Sequence, residues 1–294
     1  MNKRNLVIFA WAVTLLVSVL PTIIFQEIFK YNMPWLSWVK MGILAIALVL
    51  TLLIKNLRPL WMYITVLIAL YLAEWVSHDV IGNTSFWLSR FSVDIFTVSM
   101  FGNQLLRLGV TLTMVFLMVI LKKNWDAFFL VKGDLRAEAM PIPLLMDKPT
   151  SWKKLGWILA ACISGGTLAF LLLAGQPTPE TLLLALPFLP VVLVLAAMNA
   201  FNEEMSYRAG PLASLHEVIG PQQALLMTAA FFGIGHFYGV PYGIIGVVMA
   251  SLLGWLLGKA MLETKGFFWA WFIHFLQDVL IFSFMFIGSI TPGG

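Results

Sequence analysis

Apolar stretches long enough to cross a bilayer alternate with short polar interruptions along nearly the whole chain. A spanning helix needs about 20 mostly apolar residues, and about nine such helices are predicted. They run over roughly 6–26, 40–55, 60–78, 104–121, 155–175, 181–203, 222–239, 242–262 and 267–288. The second is short, which suits a tilted or partly interfacial helix. Residues 82–101, GNTSFWLSRFSVDIFTVSMF, are amphipathic instead and suit a helix lying on the membrane surface. The longest polar stretch, 122–153, ends in AMPIPLLMDKPTSWKK, where proline and charge predict a cytoplasmic linker. The expected organisation is therefore N-terminal helices over 1–121, the linker over 122–153, and a second helical unit over 154–294 that holds the polar motifs. The fold class expected is all-α, a polytopic transmembrane bundle of about eight to nine spans. No internal repeat is visible.

Composition agrees with that pattern. Hydrophobic residues make up 61% of the chain and charged residues only 11%, against about a quarter charged in soluble domains. The mean hydropathy is +0.92. Lys3 and Arg4 begin the chain, Lys55 and Arg58 follow the second apolar run, and Lys122, Lys123, Lys132, Arg136, Lys148, Lys153 and Lys154 crowd the linker. Lys259 and Lys265 flank a later turn on the same side. Basic residues favour the inner face, so the N-terminus is expected in the cytoplasm, with Lys30, Arg90 and Arg107 running against the rule. The start MNKR resembles a signal peptide, but its apolar run is longer than a signal core and no small-residue cleavage pattern follows, so an uncleaved first span is expected. No basic stripe with interleaved aromatics appears, which argues against nucleic-acid binding. The single cysteine, Cys162, excludes an intramolecular disulfide and reads as a buried packing residue.

Ionisable groups inside a membrane cost a few kcal/mol each on insertion scales and mark candidate sites. Three clusters stand out. In EEMSYR, Glu204 and Arg208 lie one helical turn apart and can pair, which leaves Glu203, about 100° around the helix, free to work. The plainer alternative is that both carboxylates mark the water interface. Gly210-Pro211 is expected to stop that helix. In FFGIGHFYG, His236 ends an apolar run among Gly233, Gly235 and Gly239, which allow close helix approach. Alone it reads as a histidine hydrogen-bonded within the bundle. In HFLQD, His274 and Asp278 share one helix face, a spacing that suits a carboxylate orienting an imidazole, two ligands of one metal, or a pair joining helices.

A glutamate that takes a proton from water, with histidines beside it, is a hydrolytic arrangement. No serine or cysteine nucleophile stands in an obvious place. In order, EEMSYR, FGIGH and HFLQD match EExxxR, FxxxH and HxxxN/D, and over roughly 181–288 the chain resembles the CPBP family of CAAX-protease and bacteriocin-processing proteins, to which the type II CAAX prenyl endopeptidase is related. That resemblance implies an all-helical intramembrane protease with a polar cavity. It implies that Glu203 activates water, that Glu204 and Arg208 support it, and that His236 and His274 stabilise the oxyanion or ligate a divalent metal such as Zn. Asp278 occupies a position that is Asn in CAAX-cleaving relatives. An ionised Asp cannot donate to an oxyanion, so it leans toward metal ligation or orientation of His274.

The expected partners are the lipid bilayer and a membrane-anchored protein or peptide, such as a bacteriocin or pheromone precursor, in a prokaryotic cell membrane. The rival readings are a non-catalytic scaffold or bacteriocin-immunity protein that binds a partner membrane protein, and a transporter using the same groups. A plain span count sets Glu203 near the inner face and His236 about 20 Å deeper; the two meet only if Glu203 sits deeper, with 209–221 partly embedded, or if the seventh span begins well outside the membrane. Gly254 and Gly258 form a small-xxx-small pattern expected to pack helices within the chain. Lys259 and Glu263 read as a surface pair, and Glu74, His78 and Asp79 as a possible second polar site.

Overall fold

The computed structural model describes residues 3–122, 124–142 and 145–290. Lys123, named among the linker charges, lies outside the described residues. Helix α1, Lys3–Val17, continues past a 49° bend as Leu20–Ile28, with Pro21 at the break. Then follow α2 (Leu36–Leu53), α3 (Arg58–Ile81), α4 (Ser85–Phe91), α5 (Phe96–Lys122), α6 (Trp152–Gly175), α7 (Pro179–Ile219), α8 (Pro221–Gly235), α9 (Ile244–Thr264) and α10 (Phe268–Ile290).

By length and composition seven of the helices described can cross a membrane, or eight if the bent pair is one span. The stretch expected as a span over 222–239 is α8, only 15 residues long. That is about 22 Å, short of a bilayer core about 30 Å thick. The run from Gly235 to Gly243 holds three glycines and Pro241, which end the helix there. The amphipathic stretch 82–101 also divides. Thr84 caps α4 by accepting from the Trp87 amide, while residues from Phe96 onward already belong to α5.

The largest departure is α7. Gly210-Pro211 does not end it. Residues Glu204–Ala209 widen into a π-helical turn, and Pro211 falls in the first turn of the α-helical stretch that follows. A π-turn takes in an extra residue and so absorbs a proline whose ring and missing N–H would break a regular helix. The helix therefore runs on to Ile219, where Gly220, at φ +92°, turns the chain into α8.

One hydrophobic core joins helices from both ends of the chain, with Leu6, Leu44, Leu67, Met114, Met205 and Ile273 among its members. The linker is part of this packing rather than a loose connection. Its short strands β1 (Glu138–Ala139) and β2 (Thr150–Ser151) pair antiparallel, and Phe128, Phe129 and Ala139 are buried. Lys259 and Glu263 pair as expected, but not on the surface: Trp152 Nε1 donates to Glu263 Oε2 at 2.8 Å, and Lys259 is buried. Cys162 is exposed, because α6 packs through Trp152, Leu155, Gly156, Leu159 and Ala160 on another face.

The α8–α9 contact depends on missing side chains. A Cβ on Gly233 would lie 2.6 Å from the Val247 carbonyl oxygen, and one on Gly258 would lie 2.6 Å from Leu225 Cδ1. Gly254 likewise faces Phe232 and Arg208. Gly235 has open space around it, so only Gly233 of the FGIGH glycines serves close approach. Gly258→Leu is expected to destabilise the protein by about 1–3 kcal/mol through overpacking, read as a lower melting temperature in detergent. Gly235→Ala serves as the control that leaves it unchanged.

Candidate active site

Helix α7 carries the carboxylates, α8 ends at His236, and α10 carries His274 and Asp278. The expected separation in depth disappears once α7 runs through Pro211. Ile219 lies 16 residues beyond Glu203, and His236 lies 15 beyond Pro221, about 24 and about 22 Å at 1.5 Å per residue. The two arms of the Gly220 turn are thus nearly equal, and His236 comes level with Glu203. Their closest atoms, Nε2 and Oε2, are 4.0 Å apart.

Glu203 Oε2 is also 3.7 Å from His274 Nε2. Both histidines present the same ring nitrogen to it, for identifiable reasons. His236 Nδ1 lies 2.8 Å from the Phe232 carbonyl oxygen, which can only accept, so Nδ1–H donates. His274 Nδ1–H donates to Glu204 Oε1 at 2.7 Å. Glu204 thus orients His274, the role that HxxxD spacing offered to Asp278. Asp278 lies instead on the Nε2 side, 3.6 Å away. It accepts a bond from Asn199 Nδ2 at 3.0 Å.

Glu204 and Arg208 pair as expected, and both are fully buried. The guanidinium lies 4.6 Å over the Phe232 ring, a cation–π contact. Among the described residues, Glu204 Oε2 and Arg208 Nε and Nη2 are buried without a hydrogen-bond partner. His236 keeps 40% of its side chain exposed against 5% for His274, so His236 stands at the opening of the site and His274 at its floor.

All six motif residues meet in this network. Sequence reasoning missed several others. Glu203 is not free, since Arg107 of α5 donates from Nη1 to its Oε1 at 2.7 Å. Asn199 accepts from Arg107 at 3.3 Å and from Gln104 at 3.0 Å. Arg107 was visible as a basic residue near the start of the expected span 104–121 that ran against the topology rule, and Asn199 as the residue one turn before Glu203. Glu74 belongs with this network rather than to a separate polar site. It accepts from the Tyr207 hydroxyl, pairs with His78 at 3.3 Å, and shares with Glu203 the wall of a cavity of about 10 Å³.

The metal expectation needs His236, His274 and Asp278 to converge. Among the described residues no group of three or more His, Cys, Asp or Glu side chains is arranged to hold a metal ion. The groups approach in sequence instead, His236 to Glu203, Glu203 to His274, and His274 to Asp278. Two of the expected ligands also have other partners in Glu204 and Asn199.

Residues 185–280 match the family model described as type II CAAX prenyl endopeptidase Rce1-like. The segment is Rce1-like. It contains Glu203, Glu204, Arg208, His236, His274 and Asp278, whereas Glu74, Gln104 and Arg107 lie outside it. The match supports a CAAX-type intramembrane protease in general, and with the apolar helices around the Rce1-like segment it makes the chain a multi-pass membrane protein. No curated protein sequence and no solved structure matches the chain.

Proposed function

We propose that the protein is an intramembrane endopeptidase that hydrolyses a peptide bond of a membrane-associated protein or peptide, with Glu203 as general base. One observation carries this reading. Glu203 Oε2 faces His236 Nε2 at 4.0 Å and His274 Nε2 at 3.7 Å. These separations are too long for direct hydrogen bonds and suit a single bridging water. Such a water, giving one proton to Glu203 and attacking the scissile carbonyl carbon, forms a tetrahedral oxyanion. In its imidazolium form His274 keeps the Nδ1–H bond to Glu204 and offers Nε2–H to that oxyanion. Glu203 then returns the proton to the leaving amine as the C–N bond breaks. His236, at the opening, contacts the incoming chain first.

No step here runs through a metal. Dialysis of the purified protein against a chelator is therefore expected to leave proteolysis within about twofold of its starting rate, far from the several kcal/mol that a catalytic ion contributes. Loss of activity on chelation, restored by Zn, would show that His236, His274 and Asp278 rearrange into a metal site. The clustering of basic residues in MNKR and 122–153 supports an N-terminus and linker in the cytoplasm. The test of the function is reconstitution in liposomes with total membrane proteins. Wild type should release fragments that His274→Ala does not, and equal fragment patterns would remove the proposal.

A further inference from the structure

We propose that Arg107 is a positioning residue for the hydrolysis, clamping one oxygen of Glu203 so that the other faces the two histidines. The proposal rests on the reading of Glu203 as general base. Arg107 lies 11 residues from the start of α5 and 15 from its end, where an unpaired arginine is costly. Its Nη1 reaches Glu203 Oε1 at 2.7 Å and Asn199 Oδ1 at 3.3 Å. Glu203 thereby has two unlike oxygens, with Oε1 held from the α5 side and Oε2 left for the imidazoles.

A glutamate needs such a clamp. The terminal torsion of its side chain is broad and roughly two-fold, so an unheld carboxylate presents either oxygen in varied orientations. Reacting groups lose effectiveness steeply with misplacement, about 10²-fold for an error of 1 Å. Asn199 ties the clamp to the rest of the site, because the amide whose oxygen takes Arg107 donates its nitrogen to Asp278. A displacement of α5 is thus felt on α7 and α10 together. The neighbouring cavity, walled by Arg107, Glu74, Tyr207 and Glu203, is about 10 Å³, room for about one water. Arg107 and Glu74 keep 35% and 30% of their side chains exposed, so this side of Glu203 reaches the protein surface. Arg107 lies outside the Rce1-like segment. The site is therefore completed by the N-terminal helices, which do more than anchor it.

The test uses the full-length protein in liposomes and a quenched-fluorescence peptide spanning the cleavage site fixed by comparing new N-termini in cells. Arg107→Gln is expected to lower kcat about 10²-fold with KM within about threefold of wild type. Arg107→Lys keeps the charge and a donor group but not the planar fork, and should recover about tenfold of that loss. Removing the arginine alone leaves Glu203 without its cation, so Arg107→Gln/Glu203→Gln is made beside it as the variant expected to melt as wild type does. Wild-type kcat in Arg107→Gln would overturn the clamp while inactive Glu203→Gln keeps the base. Parallel changes in kcat, KM and melting temperature, with no rescue by lysine, would reduce Arg107 to a structural ion-pair partner and overturn it too. Full turnover in Glu203→Gln would remove the hydrolytic reading, and the clamp with it.

Discussion

Glu203→Gln is expected to lower turnover by about 10²–10⁴-fold, the span that a positioned general base contributes. The variant should still fold. Glutamine keeps the size of the side chain and an oxygen able to accept from Arg107 Nη1, now 2.7 Å from Glu203 Oε1. It loses the group that takes a proton from water at Oε2, between the two imidazoles. The substitution keeps the size of the side chain and its bond to Arg107, so KM should change much less than kcat. Rates on the quenched-fluorescence peptide, with melting curves of both proteins in the same detergent, check this directly.

Glu204→Leu is expected to damage stability instead, by about 3–5 kcal/mol, because it leaves one partner of a buried ion pair uncompensated. Arg208 is fully buried, and its hydrogen-bonded and charged partner is Glu204. The Phe232 ring below the guanidinium offsets only a fraction of that loss, about 0.5–2 kcal/mol. His274 also loses the acceptor that fixes its ring, so the folded fraction should be slow as well as scarce. Arg208→Met in the same chain removes the orphaned charge. The double variant Glu204→Leu/Arg208→Met should regain much of the melting temperature without regaining activity. A single variant that melts as wild type does would show that water, not the ion pair, carries the charge of Arg208.

The carboxylates and histidines of the site stood out in the sequence because charge inside an apolar helix is costly and rarely idle. Arg107 obeyed the same rule, yet a basic residue also reports topology, and it was read there as an exception. Asn199 is neutral and gave no such signal; only its place four residues before Glu203 hinted at it. The helical bundle was visible from run lengths alone. The span count differed because α8 stops at Gly235, too short to cross; α7 stays one span, but a π-turn lets it pass through Pro211. That one local event also governed the depth of the site. With the helix ended at Gly210, Glu203 and His236 stay about 20 Å apart; with it continued to Ile219, they meet. The i, i+4 pairing of Lys259 with Glu263 was readable, but its burial under Trp152 depends on how the linker folds, which polarity does not encode.

The most direct measurement compares new protein N-termini in membranes of cells carrying wild type, Glu203→Gln or His274→Ala at equal expression. Termini present with wild type and missing from both variants are expected, and they would identify a substrate and its cleavage site together. The same termini in all three would contradict hydrolysis by Glu203 and leave the bundle as a scaffold.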